Sequence, residues 1–291
     1  MHSLIIMMLA LAAAPAAAQD KKLLERGTYL MNSIVACGNC HVQRGEKGRP
    51  IMEKGLSGGM VFDEEPFKAY APNITPDSET GIGKWTDAQL AKAIREGVRP
   101  DGTVIGPPMP IMFYRGLADA DLKAIIAYLR AQPPVRNPVP KSEYRIKLPP
   151  TYGPEVKNVS APSRQDAVKY GQYLAGPLGH CMDCHTPWVK GVPDLSKAGA
   201  GGNPFRGPWG VAVSRNLTPH EQGLKGWSDA DIARAIREGV RKDGTPLKPP
   251  MAYGWYKNIS DADMKSLIAY LRSLRPQPLG GTAGGIAPAR P

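Results

Sequence analysis

Four cysteines occur in the 291 residues, and all four fall in two short runs, Cys37-Gly-Asn-Cys40-His41 and Cys181-Met-Asp-Cys184-His185. Two thiols separated by two residues can add to the two vinyl groups along one edge of a haem. A histidine directly after the second thiol can then swing under the ring as the proximal iron ligand. Halves of zinc sites and redox dithiols share the Cys-X-X-Cys spacing. A zinc site needs two further ligands for each pair, and a redox dithiol has no need of the adjoining histidine. The runs therefore predict two covalently bound haem c groups. One hangs on Cys37 and Cys40 with His41 as its proximal ligand; the other hangs on Cys181 and Cys184 with His185.

A haem iron has a sixth position. Met109 lies 68 residues after His41 and Met251 lies 66 after His185, each behind a Pro-Pro pair. A stiff, extended approach of this kind can hold a thioether toward an iron, so both methionines are candidate distal ligands. Met52, Met60, Met112, Met182 and Met264 have no partner at a matched place and read as core filler. Five histidines are present. Without His2 and the two proximal residues, His180 and His220 remain. His180 adjoins Cys181 on the proximal side, and His220 sits in a polar loop. Two bis-histidine haems are excluded, and His/Met ligation, which favours the ferrous form, is predicted.

The elements that must position these groups occur twice, offset by 142 to 144 residues. Gly27-Thr-Tyr29-Leu30 returns as Gly171-Gln-Tyr173-Leu174, Asn73-Ile-Thr75-Pro76 as Asn216-Leu-Thr218-Pro219, and Trp85-Thr-Asp87 as Trp227-Ser-Asp229. Ala93-Ile-Arg95-Glu-Gly-Val-Arg99 returns as Ala235-Ile-Arg237-Glu-Gly-Val-Arg241. Leu122, Ile125, Ile126 and Leu129, like Met264, Leu267, Ile268 and Leu271, keep the i, i+3, i+4, i+7 spacing of one helical face. Ser260 with Asp263 makes an N-terminal capping pattern that Ala118 lacks. Middle helices are predicted from Thr86 and Ser228. Gly and Pro clusters separate these segments, and no alternating strand pattern is present. The predicted class is all-α, in two tandem domains, residues 19–132 and 164–275. A linker with eight prolines over 133–163 and a disordered Gly/Pro/Ala tail over 276–291 complete the chain. Among the repeated residues, Asn73, Trp85, Arg95, Asn216, Trp227 and Arg237 are candidates to hydrogen-bond haem propionates.

Residues 1–18 hold no Lys, Arg, Asp or Glu, and an apolar run leads into Ala16-Ala17-Ala18. This reads as a secretory signal cut after Ala18, and so predicts export to the periplasm. The run is shorter than the roughly 20 apolar residues a spanning helix needs, so membrane contact is at most peripheral. The net charge is +11. Scattered Lys and Arg, together with export, exclude a nucleic-acid partner. A basic surface instead suits rapid docking with an acidic redox protein.

The runs Asn73-Ile-Thr-Pro-Asp77, Gly81-Ile-Gly-Lys-Trp85-Thr86-Asp87 and Pro107-Pro108-Met109-Pro110 resemble the cytochrome c subunits of bacterial membrane-bound alcohol, aldehyde and gluconate dehydrogenases. The resemblance extends over both repeats. It implies class I cytochrome c domains, with Met109 and Met251 distal and His41 and His185 proximal. It also implies electron relay from a periplasmic or membrane-bound dehydrogenase to a cytochrome, oxidase or quinone-linked acceptor. Members of that family commonly carry three haem domains, and this chain has two. The alternative is a di-haem enzyme. A peroxidase needs a distal side that opens to peroxide, whereas a methionine stands ready in both repeats. A thiosulfate dehydrogenase commonly places a cysteine over one iron, and no spare cysteine exists.

Overall fold

A computed structural model describes residues 13–207 and 209–281. Most of the expected leader, residues 1–12, lies outside them. In the first domain a long helix α1 (Ala13–Met31) is followed by a one-turn helix α2 (Gly38–His41), a hairpin of strands β1 (Val61–Glu64) and β2 (Phe67–Tyr70), and helices α3 (Asp87–Glu96), α4 (Ile111–Tyr114) and α5 (Asp119–Arg130). A short strand β3 (Glu143–Tyr144) follows. The second domain repeats the order as α6 (Ala167–Tyr173), α7 (Cys181–Cys184), hairpins β4 (Trp188–Val189)–β5 (Val192–Pro193) and β6 (Pro204–Gly207)–β7 (Gly210–Val213), α8 (Asp229–Glu238), α9 (Tyr253–Tyr256) and α10 (Asp261–Ser273). The all-α expectation is thus amended: the protein is mainly helical with small antiparallel sheets, β1-β2-β3, β4-β5 and β6-β7. Strands of two to four residues are too short for an alternation to be read from sequence.

The helix signals act locally as their chemistry dictates. Thr86 caps α3 and Ser228 caps α8, each in a capping box, with Gln89 and Asp231 reaching back. Gly97 and Gly239 end these helices in the left-handed conformation at φ 68° and 67°. The predicted stripes of α5 and α10 are buried. Each packs on its domain's first helix so closely that no Cβ fits between them. A methyl on Gly27 would overlap the Ala124 carbonyl oxygen, and one on Gly171 would overlap that of Ser266.

The proline-rich stretch straps the first domain and is not a free spacer. Asn137 Nδ2 donates to the Ser57 carbonyl at 2.8 Å, β3 extends the β1-β2 hairpin, and the Asp119 N–H donates to the Val159 carbonyl at 2.8 Å. The expected disordered tail is likewise corrected as far as residue 281. Asn216 Nδ2 holds the Gln277 carbonyl at 2.7 Å, and the Gly280 N–H donates to Ala200 at 2.9 Å. Backbone groups on a Pro- and Gly-rich segment need partners as much as any others do. Composition alone hides those that are far away in sequence.

The two domains share one hydrophobic core, which runs from Leu30, Ile34 and Leu117 to Tyr173, Leu178 and Trp255. Across it they exchange tyrosines. The Tyr29 hydroxyl donates to Asp263 at 2.8 Å and accepts from the Ser260 N–H at 3.2 Å. The Tyr173 hydroxyl donates to Asp121 at 2.8 Å and accepts from the Ala118 N–H at 3.1 Å. Asp263 therefore does not complete the predicted Ser260 cap. The Ser260 hydroxyl accepts the Asp263 N–H, and the carboxylate serves Tyr29 and Arg164.

Gly171→Ala should lower stability by about 1–3 kcal/mol, because the added methyl meets backbone that cannot turn aside. Gly226→Ala meets nothing within 4 Å and should leave the denaturant midpoint unchanged. Chemical unfolding of the two variants checks the contrast.

Candidate functional site

Each Cys-X-X-Cys-His run folds as a single helical turn. The His41 N–H donates to the Cys37 carbonyl and the His185 N–H to that of Cys181, both at 2.9 Å. Residues three apart on such a turn share a face, so each thiol pair points the same way. The residue before each run, Ala36 or His180, is left-handed at φ 49° or 40°. Non-glycine residues rarely hold this conformation, and sites of function are where it collects. The chain enters both turns through the same strained corner.

The proximal histidines are oriented from behind. His41 Nδ1 lies 2.9 Å from the Pro72 carbonyl and His185 Nδ1 lies 2.7 Å from that of Arg215. A carbonyl only accepts, so Nδ1 carries the proton and Nε2 keeps its lone pair for a metal. Both rings are only 7% exposed, and burial pushes their pKa values down, which keeps them neutral. The carbonyls are held in turn. Asn73, which follows Pro72, accepts from the Thr75 N–H at 2.9 Å and donates to the Val135 carbonyl at 2.7 Å. Asn216 does the same toward Thr218 at 2.8 Å and Gln277 at 2.7 Å. A glycine closes each motif from the other side. The Gly58 N–H donates to the His41 carbonyl and the Gly201 N–H to that of His185, both at 2.8 Å. A Cβ on either would come within 2.5 Å of a carbonyl oxygen.

None of the four cysteines is in a disulfide. Burial pushes Cys37 up to about 12, Cys40 to about 11 and Cys181 to about 12. Cys184 is pushed well above its ordinary value by burial and by nearby Asp183. A redox dithiol needs a lowered thiol pKa, and here every shift runs the other way. Among the described residues no three His, Cys, Asp or Glu side chains gather as a metal ion would require. The donors that remain at each motif are the two thiols and the presented imidazole, and they suit covalent attachment of haem.

One continuous cleft of about 3110 Å³ connects the sites, and Cys40, Met109, Cys181, Cys184, His185 and Met251 all line it. Cys37 and His41 do not line it. Met109 and Met251 are half-buried and follow cis Pro107–Pro108 and Pro249–Pro250 bonds. A one-turn helix, α4 or α9, begins just after each. The cleft's volume is several times that of a drug-sized pocket.

The other repeated residues have their own work. Asn73 and Asn216 are engaged by backbone and by neighbouring threonines, so their role is to hold the loop behind each proximal histidine. Arg95 bonds the Leu117 carbonyl at 2.5 Å and pairs with Asp119 at 2.8 Å. Arg237 bonds the Ile259 carbonyl at 2.6 Å and Asp261 at 2.7 Å. Both arginines tie the middle helix to the start of the last one. Trp85 and Trp227 pack on the core, and only Trp227 lines the cleft. Their carbonyls accept from Arg130 and Arg272.

Sequence reasoning overlooked the residues between the cysteines. Asn39 crosses to the second domain, where Nδ2 donates to the Pro250 carbonyl at 3.1 Å. Its repeat equivalent is Asp183, whose carboxyl is pushed up to about 6 by burial. The only local signal was that the two repeats differ there.

With two such donor sets on one helical scaffold, the class is a covalent-haem protein with a site in each domain. The chain belongs to the Cytochrome c family, whose model matches residues 24–133 and 168–275. It is 30% identical to a subunit of the nicotinate dehydrogenase of Pseudomonas putida, over 88% of this chain and 22% of that protein. It is also 30% identical to the cytochrome c subunit of the quinone alcohol dehydrogenase of Gluconobacter oxydans, over 96% of this chain and 60% of that one. With a diheme cytochrome c-type protein of Cereibacter sphaeroides it shares 32% identity over 81% of each chain. The chain thus spans less than two thirds of the first two relatives. Among the described residues no helix is long and apolar enough to cross a membrane.

Replacing Cys37 and Cys40 together by Ser should halve the haem retained per chain after acid denaturation. Making the same change at Cys181 and Cys184 as well should remove the remainder. Haem-to-protein ratios in the denatured, washed protein measure both.

Proposed function

We propose that the chain is a periplasmic di-haem c-type cytochrome that relays electrons from a dehydrogenase toward the respiratory chain. The observation that carries this reading is the paired backing of His41 and His185 by backbone carbonyls at 2.9 and 2.7 Å, in a chain whose Met109 and Met251 both line one cleft. Haem, when bound, supplies reversible one-electron chemistry at iron. The chain's own residues do the rest. Cys37, Cys40, Cys181 and Cys184 anchor it, and His41 and His185 hold one axial position. Met109 and Met251 close the other, which leaves no open site for a substrate. The Trp85 and Trp227 indole N–H groups donate to no protein partner among the described residues, so they are available to propionates. Leader removal after Ala18 leaves domains at 19–132 and 164–275.

The donor assignment follows the names of the relatives, which are cytochrome subunits of alcohol, fructose and gluconate dehydrogenases. The same names give no support to a di-haem enzyme. A net charge of +11 would speed encounter with an acidic donor more than it would tighten the complex. Tagged protein isolated from periplasm should bring a dehydrogenase with it and should be reduced when that enzyme's substrate is added.

Both oxidised haems should be low-spin with Met–iron charge-transfer absorption. Met109→His and Met251→His should each remove part of that absorption and lower the potential of one haem only. A high-spin haem in the unmodified protein, or turnover of peroxide or thiosulfate, would overturn the relay.

A further inference from the structure

The two attachment motifs differ in what they do across the domain interface. In the first, Gly38 is bare because the second domain's Trp255 lies on it; a Cβ there would come within 2.7 Å of the indole ring. Beside it, Asn39 lies between two groups of opposite character. Arg44 Nη2 donates to Asn39 Oδ1 at 3.2 Å and also to the Asn39 carbonyl. A guanidinium has no acceptor, so it fixes which end of the amide is oxygen. Nδ2 is then aimed at the Pro250 carbonyl, 3.1 Å away. That carbonyl belongs to the peptide group joining Pro250 to Met251.

The second motif lacks this arrangement. Asp183 replaces Asn39, and its carboxylate makes no hydrogen bond among the described residues. Trp188 stands at the repeat position of Arg44, and its Nε1 donates to the Asp183 carbonyl at 2.7 Å. The backbone contact of the first motif is therefore reproduced and the side-chain bridge is not. The Pro108 carbonyl, ahead of Met109, receives no bond from the second domain among the described residues.

From this asymmetry we infer that Asn39 is a positioning residue for the other domain's distal ligand, holding the Met251 loop in place from the first domain's haem-attachment turn. The inference rests on the proposed role of Met251 as an iron ligand. It makes the two haem sites inequivalent. Ligation in the second domain depends on the docked first domain, while ligation by Met109 is set within its own domain. It also joins the sites by a short run of bonds, from Cys40 through the Asn39 amide to Pro250 and Met251, crossed by one hydrogen bond.

The test uses the full-length holoprotein in two backgrounds. In Met109→His the remaining Met–iron charge-transfer band belongs to the second haem, and in Met251→His it belongs to the first. Asn39→Leu keeps the side chain's size and removes the donor. It should weaken the band and lower the potential in the Met109→His background, and change neither in the Met251→His background. Asn258→Leu is the control, because it removes a different cross-domain bond, Asn258 Nδ2 to the Asn32 carbonyl at 2.8 Å. It should leave both backgrounds unchanged. The inference is overturned if Asn39→Leu spares the second haem, disturbs both haems equally, or does no more than Asn258→Leu. If the Met109→His background shows no Met–iron band at all, the ligand assignment itself has failed, and the inference goes with it.

Discussion

Each domain lends a tyrosine hydroxyl to the start of the other's last helix, and the rest of the assembly depends on that exchange. Tyr29 and Tyr173 each donate to an aspartate and accept a backbone N–H that the helix cannot satisfy internally. Both phenols are pushed above their ordinary pKa, chiefly by burial, so they remain donors. The carboxylates are steadied on their other side, Asp121 by Arg26 at 2.8 Å and Asp263 by Arg164 at 2.7 Å. Removing one hydroxyl would leave the helix-start N–H without its partner and the aspartate with its arginine alone, a loss of about 1–3 kcal/mol.

Once that exchange sets how the domains face each other, closer contacts follow. Gly116 can lie under Pro177, where an added Cβ would meet the ring at 2.7 Å, and Gly179 can lie on Ile34 at 2.9 Å. Tyr114 meets His180 edge-on with ring centroids 5.7 Å apart. These are interior-grade contacts, and they explain why the hydrophobic core has no seam. Two domains packed this way hold their sites at a fixed separation. Two domains on a flexible linker would leave that separation to chance.

Sequence showed the parts whose causes are local. Cys-X-X-Cys-His is one helical turn, the stripes of α5 and α10 are periodic, and the caps at Thr86 and Ser228 bond groups three residues away. Where a repeated polar residue had two available jobs, sequence did not choose between them. Asn73 and Asn216 recur because they fix the loops behind His41 and His185, a role invisible until Pro72 and Arg215 are seen against the imidazoles. The proline-rich segment read as a linker, and where it lies was not legible because its partners, Ser57 and β2, are well outside it in sequence. The tyrosine exchange was beyond reading for a third reason. A repeat shows that Tyr29 and Tyr173 have equivalent surroundings; it does not show which copy supplies them.

That last point bears on how a duplicated chain becomes one protein. Where each repeat serves itself, the residues have stayed alike: the glycines at the helix crossings, the histidine carbonyl partners' Asn-X-Thr turns, the Pro-Pro-Met loops. Where the repeats face each other, the tyrosine exchange is kept, while residues in and beside the cysteine runs have diverged. Gly38 stands opposite Trp255, while the repeat equivalents are Met182 and Phe113. Only Gly38 leaves room for the indole laid on it, since a Cβ there would come within 2.7 Å of the ring. Asn39 and Arg44 on one side correspond to Asp183 and Trp188 on the other. A symmetric interface would offer each domain the same surface as its twin and so would accept a second copy of either domain equally well. The close Gly38–Trp255 contact and the one-sided amide bridge make the two facing surfaces unlike, and unlike surfaces favour a mixed pair over a like one. The asymmetry that fastens the two domains together is also what leaves their two metal sites in different surroundings.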